Sequence, residues 1–329
     1  MNHKNFKIFI FILFFVFLGN HFIKAKAPNI YLKKQESPKI EQIEASIKIL
    51  ALGDLMLGRY IETLIFRNEN MFVNLPKEMF ENKDYILVNL ENPITLSEKS
   101  IEKSINLKMH PKNIKILKEK NINLISLANN HLEDFLQQGI SDTIKYLEEA
   151  KIKYFGIYQE PLILEKDDLK IAFFGINALW GNIDPYYNLI QETATKVDYV
   201  IVSIHWGEEY FSQPSKTQIK IGQKLIDSGA SIVLGHHPHT TQPIEKYKNG
   251  IIFYSLGNFV FDQIDPITFK ELGVNINIDK EEIKFELLPM TVNHFKPELL
   301  SSNEKLLECK NLAPEIELDN CMFSIEFKH

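Results

Sequence analysis

Residues 232–239 read Ile232-Val233-Leu234-Gly235-His236-His237-Pro238-His239. A short β-branched apolar run opens the stretch, as a buried strand does. Three histidines in four residues close it, a density that packing does not explain. Four other apolar runs end in the same way. The run 47–52 meets Gly53-Asp54, and 85–90 meets Glu91-Asn92-Pro93. The run 122–127 leads to Asn129-Asn130-His131, and 199–204 to His205-Trp206-Gly207. In α/β sheets ligands gather outside the carboxyl ends of the strands, so these five clusters are expected to converge on one site. Carboxylate, amide oxygen and imidazole together suit one or two divalent transition ions of the Mn, Fe or Zn kind.

Each cluster alone also has a plainer reading. Gly53-Asp54 after a strand serves as a turn whose carboxylate receives backbone N–H groups. Asn129-Asn130-His131 serves as a left-handed turn or a helix cap. His205 alone is as readily a satisfied core histidine. The 236–239 run is the hardest to read in such a way.

The runs 171–176 and 251–254 also read as buried strands, and helical spacing falls between strands. Ile140, Ile144 and Leu147 share one face of a helix at 140–150, as do Ile219, Gly222, Leu225 and Ile226 at 215–228. Alternating strand and helix predicts an α/β fold with a core sheet. Between Leu272 and Leu288 apolar and polar residues alternate about Asp279-Lys280-Glu281, a hairpin expected at a sheet edge.

The remaining boundaries follow from composition. Lys4 and Lys7 precede an unbroken apolar run at 8–18, a basic region followed by a hydrophobic one. As a helix its eleven residues rise about 16 Å, short of the roughly 30 Å hydrocarbon layer. Residues 1–23 therefore read as a secretory signal, or as an N-terminal anchor if Pro28 after Ala25-Lys26-Ala27 blocks cleavage. Either places the body outside the cytoplasm, at the cell envelope. Residues 24–46 read as a linker, 47–296 as the folded domain and 297–329 as a C-terminal extension. Cys309 and Cys321 in that extension form a disulfide in an oxidising compartment or remain two thiols. With 329 residues, 45% of them hydrophobic, the chain can bury a sizeable core. The net charge is −6 and no lysine- or arginine-rich stripe carries interleaved aromatics, which gives no case for a nucleic-acid partner.

The ordered motifs resemble those of the CapA family of poly-γ-glutamate capsule synthesis proteins. They are Gly53-Asp54-Leu55-Met56-Leu57-Gly58-Arg59, Asn89-Leu90-Glu91-Asn92-Pro93 and Ala128-Asn129-Asn130-His131. His205-Trp206-Gly207-Glu208-Glu209-Tyr210, Gly235-His236-His237-Pro238-His239 with Gln242, and Tyr254-Ser255-Leu256-Gly257-Asn258-Phe259 complete them. That family in turn resembles calcineurin-like metallophosphoesterases, which implies a sandwich of core β-sheets flanked by helices. The resemblance implies Asp54 and His239 on a first metal, Glu91 bridging, and Asn130, His205 and His237 on a second. It places His131 as proton donor and leaves His236 flanking the site. Two departures stand out. Met56 occupies the position of a histidine ligand, and a thioether binds hard divalent ions poorly. Glu91 replaces an aspartate and is one methylene longer.

Arg59 is placed to clamp a phosphate or carboxylate, or to form a surface ion pair. Glu209 and Asn129 are expected in the outer shell, with Glu209 orienting a ligand histidine. The resemblance implies work on an anionic cell-surface polymer, by metal-assisted hydrolysis or transfer, alongside membrane-bound synthesis machinery. A non-catalytic polymer-binding assembly factor and a general metallophosphoesterase are the competing readings.

Overall fold

A computed structural model describes residues 46–327. The segments read as signal or anchor (1–23) and as linker (24–46) lie outside the described residues, but for Ser46. The strands are β1 (Ile47–Leu55), β2 (Tyr85–Leu90), β3 (Leu124–Ser126), β4 (Lys153–Phe155), β5 (Leu162–Lys166), β6 (Leu169–Asn177), β7 (Tyr199–His205) and β8 (Ile232–His236). They continue as β9 (Thr241–Tyr247), β10 (Gly250–Leu256), β11 (Asn258–Val260), β12 (Lys270–Ile278), β13 (Glu282–Asn293), β14 (Lys296–Leu299) and β15 (Met322–Glu326). The α-helices are α1 (Arg59–Phe66), α2 (Ile114–Glu119), α3 (Leu136–Ala150), α4 (Asp184–Ala194), α5 (Lys216–Asp227) and α6 (Ser302–Leu312).

Among the described residues the strands form two sheets. One runs β14-β13-β12-β1-β2-β3-β4, with β11 paired to β1 and β15 to β13; the other runs β5-β6-β7-β8-β10-β9. Apolar side chains on both faces explain why the central strands read as unbroken apolar runs. On β6, Ile171 and Phe173 meet Ile49 and Leu87 between the sheets. Ala172 and Phe174 turn the other way, toward Tyr187 and Ile190 of α4 and Leu225 of α5. On the far side of the first sheet, Leu50, Leu52 and Val88 pack against Ile61 of α1, Leu117 of α2 and Leu147 of α3. The result is the expected α/β sandwich, helices outside and two sheets within.

The hairpin at 272–288 is present as β12 and β13, with Asp279 N–H bonded to Glu282 O at 3.1 Å. It is not at the edge. β12 pairs with β1, while β14 and β15 pair with β13. Residues 297–327, read as an extension, thus add two strands and α6 to the first sheet. The Cys309–Cys321 disulfide joins α6 to the start of β15.

One junction sets up the site. β10 belongs to the second sheet, and after Gly257 the chain crosses to the first as β11, where Asn258 pairs with Asp54. Gly257 turns there at φ +70°, a conformation that favours glycine. Its carbonyl receives Asp54 N–H at 3.0 Å. A Cβ on Gly53 would lie 2.1 Å from that same oxygen, so only glycine lets the two strands close. Among the described residues no helix is long and apolar enough to cross a membrane.

Candidate metal centre

All five clusters meet at the carboxyl ends of the strands. Asp54 ends β1, Glu91 and Asn130 follow β2 and β3, His205 ends β7, and His237 and His239 follow β8. Three sets of side chains have ligand atoms within 4.8 Å of one another: Asp54, Glu91 and His239; Glu91, His205 and His237; and Glu209, His237 and His239. Asn130 stands beside the second set, its Oδ1 accepting from His205 Nε2 at 2.9 Å.

Glu91 lies at the middle. It is fully buried, and neither carboxylate oxygen has a hydrogen-bond partner. Its Oε1 faces His205 Nε2 and His239 Nε2 at 3.7 Å and His131 Nε2 at 3.9 Å. Burial, and then the charge of Asp54, push its carboxyl well above the usual range. Burial, and then the neighbouring His237, hold His205 well below the usual imidazole range. His237 is drawn down to about 4 by burial and His239, and its Nδ1 is buried without a partner. Neutral imidazoles and partnerless carboxylate oxygens turned toward one another are the donor set a divalent cation requires. The residues therefore fit a metal.

Asp54 differs. Burial alone would raise its pKa, but the hydrogen bond and charge of His236, followed by the charges of His239 and His205, draw it below the ordinary carboxylate range. His236 Nδ1 donates to Asp54 Oδ1 at 2.9 Å, Asn89 Nδ2 to the same oxygen at 2.8 Å, and His237 N–H to Oδ2 at 3.1 Å. His239 donates Nδ1–H to Asn258 Oδ1 at 2.9 Å, which leaves Nε2 bare toward Glu91. Ligand histidines are oriented in this manner.

Backbone strain accompanies the 236–239 run. His237 has φ +96° and His239 φ +57°, both in the left-handed region. That conformation is uncommon for side-chain-bearing residues and collects at functional sites. Asn129, Asn130 and His131 have no positive φ, so this segment is not the left-handed turn offered as an alternative. Asn129 instead knits the site together. It donates to Asn89 Oδ1 at 3.0 Å and Leu90 O at 2.9 Å, and accepts His131 N–H at 3.0 Å.

Met56 is buried, and its sulfur accepts Gly58 N–H at 3.1 Å. Arg59 holds the buried Asp262 carboxylate through Nε at 3.1 Å, with 43% of its side chain exposed. His131 Nδ1 lies 2.7 Å from Asp134 Oδ2. Asp134 also accepts Leu107 N–H at 2.6 Å and pairs with Lys103. The reading of the sequence missed Asn89, Lys103, Asp134 and Asn258 as partners of the site, and left His236, which holds Asp54, as a flanking residue. Asp134 was open to discovery three residues after His131, and Asn89 and Asn258 stand inside quoted motifs. Nothing local marked Lys103.

The sequence profile of the family described as "Bacterial capsule synthesis protein PGA_cap" matches residues 48–263, which span every candidate ligand. The chain belongs to this family. It is 28% identical over 338 residues to the PGA biosynthesis protein CapA of Bacillus subtilis (strain 168), covering 94% of this chain and 85% of the relative. It is 30% identical over 287 residues to the capsule biosynthesis protein CapA of Bacillus anthracis, covering 76% and 69%. Among solved structures, a phosphatase from Mycoplasma pneumoniae aligns at TM-score 0.45 and 14% identity, over 87% of this chain and 94% of that one.

Proposed function

We propose that this PGA_cap member is an exported, metal-dependent protein acting on an anionic cell-surface polymer such as poly-γ-glutamate, or on a phosphate or carboxylate group in its assembly, by hydrolysis or transfer. Family membership supports the setting. One observation carries the chemistry: the Glu91 carboxylate is buried without a hydrogen bond, amid nitrogens of His131, His205 and His239.

Asp54, Glu91 and His239 would hold one divalent ion, and Glu91, Asn130, His205 and His237 a second. Such ions, when bound, supply Lewis acidity toward a phosphoryl or carbonyl oxygen. His131 serves proton transfer. A carboxylate only accepts, so the nitrogen facing Asp134 carries the proton and Nε2 presents a lone pair to the site. Burial, the largest influence, keeps this imidazole below its ordinary pKa and favours that neutral form near neutral pH. Nε2 is thus placed to take up a proton and return it to a leaving group. Arg59, anchored on Asp262 with its side chain part exposed, is assigned to a phosphate or carboxylate of the substrate.

The sequence basis for export is Lys4 and Lys7 before the apolar run at 8–18; an exported domain at 47–296 would work in the cell envelope, with membrane-bound synthesis machinery as its proposed partner. Elemental analysis of the purified protein, beside turnover of phosphomonoesters, phosphodiesters and poly-γ-glutamate, tests the proposal. Bound Mn, Fe or Zn with turnover supports it. Bound metal without turnover favours a polymer-binding factor, and no metal after incubation with these ions defeats it. Protease accessibility in spheroplasts tests export, and protection equal to that of a cytosolic control defeats it.

A further inference from the structure

Glu209 stands outside the ligand set implied by the family resemblance, yet the fold does not leave it as a free loop carboxylate. One of its oxygens lies within 4.8 Å of ligand nitrogens of His237 and His239, and these nitrogens are equally close to each other. The loop between β7 and α5 that carries it is pinned at both ends of the residue. On one side Gly207, at φ +82°, lies against the Gln218 amide. On the other Tyr210 N–H donates to Pro238 O at 2.9 Å, between the two histidines. Further along, Gln242 Nε2 holds Phe211 O at 2.7 Å and Gln213 O at 3.2 Å. Gln242 is itself held by Gln218, which closes the capping box of α5 with Ser215.

A chain of hydrogen bonds leads from His239 to the residue next to Glu209. His239 donates to Asn258, Asn258 Nδ2 to Gln263 Oε1 at 2.9 Å, and Gln263 Nε2 to the Tyr210 hydroxyl at 3.3 Å. Tyr210 is the chain neighbour of Glu209. The motif residue Asn258 thereby serves His239 on one side and, through Gln263, the Tyr210 hydroxyl on the other. A second observation points to a ligand at this position. His237, 7% exposed, has a buried Nδ1 with no partner.

We propose that Glu209 is itself a metal ligand, adding a carboxylate donor to the centre beside His237 and His239. This rests on the metal-dependent reading above. It makes the centre richer in oxygen donors than the family resemblance implies, which favours Mn²⁺ over softer ions.

The test uses the full-length chain stripped of metal, titrated calorimetrically with Mn²⁺ and with Zn²⁺ alone, and loaded with Co²⁺ for visible absorption. Glu209→Gln is expected to weaken one Mn²⁺ binding event about 100-fold, at or beyond the ~10–100-fold that loss of an outer partner costs, and to change the Co²⁺ bands. Glu209→Asp is expected to recover part of the affinity. Glu208→Gln, next in the chain and outside the cluster, should behave as wild type. Unchanged affinity in Glu209→Gln, or reduced affinity with unchanged Co²⁺ bands, overturns the ligand role. Equal losses in the Glu208 and Glu209 variants assign the effect to loop charge and overturn it as well. A wild-type chain that binds no metal overturns the functional proposal itself, whereas a metal-binding wild type matched by Glu209→Gln overturns only this inference.

Discussion

The Asp134 carboxylate receives the Nδ1–H of His131 at 2.7 Å and thereby fixes which nitrogen of that imidazole faces the site. Lys103 pairs with the same carboxylate and donates to Asn130 O at 3.1 Å, tying His131 to the segment that carries Asn130. If His131 moves a proton and binds no metal, His131→Ala keeps its metal and loses about 10²–10⁴-fold in turnover. Asp134→Asn can offer an N–H where the carboxylate accepted, which favours the opposite tautomer and blocks Nε2. Its turnover should also fall with metal content retained. Elemental analysis beside initial rates checks both variants, and metal loss in His131→Ala would mean that the roles of His131 and Asn130 are exchanged.

Metal removal gives the second expectation. A cation that binds only the folded chain stabilises it by about 2.7 kcal/mol when its free concentration is a hundredfold above Kd. Chelation should therefore lower Tm, and Mn²⁺ or Zn²⁺ should restore it. His237→Ala opens the set Glu91, His205 and His237, and Glu91→Gln disables two of the three sets. In Glu91→Gln the Tm should become nearly insensitive to added metal, and in His237→Ala the response should be reduced. Differential scanning calorimetry with and without chelator checks this, and a full wild-type response in Glu91→Gln would remove Glu91 from the centre.

The Cys309–Cys321 disulfide closes a loop between residues 12 apart and fastens α6 to β15. In the chain-entropy model a loop of this size contributes about 3 kcal/mol. Cys309→Ala with Cys321→Ala, or reduction of the wild type, should lower stability by about that amount. β15 is a sheet edge remote from the ligands, so metal affinity should be retained. Urea unfolding with and without reductant measures the first, and metal titration of the double variant the second.

The strands were legible because they are buried on both faces, and an apolar run such as 199–204 admits few other readings. The convergence of Asp54, Glu91, His205 and His237 was legible because ligands at strand ends share one rim of an α/β sandwich. What the sequence concealed depends on register between distant segments. His236 meets Asp54 across 182 residues, and Asn258 reaches β1 only because the chain changes sheets at Gly257. Periodicity within a window carries no such information. The hairpin at 272–288 was visible by its alternation, but its neighbours were not. Its place inside the sheet is decided by β1 on one side and by β14 and β15 on the other.

Glu271, bridged to Gly257, gives the last expectation. It is 2% exposed on β12, in register with Met290, and neither carboxylate oxygen has a partner. Burial alone pushes its carboxyl well above the usual range. In the unfolded chain the same group titrates near its ordinary pKa of about 4.3. Between that value and its folded pKa the native state holds the extra proton. The sign follows directly: the protonated carboxyl is tolerated below about pH 4.3, and wild-type stability falls as pH rises toward the folded pKa. Glu271→Gln cannot ionise and removes this loss. Variant and wild type should differ little at pH 4, and the variant should gain progressively as pH rises toward 8. Urea unfolding at a series of pH values measures the difference. A difference that stays constant with pH would show that Glu271 does not titrate abnormally and that its oxygens have found partners.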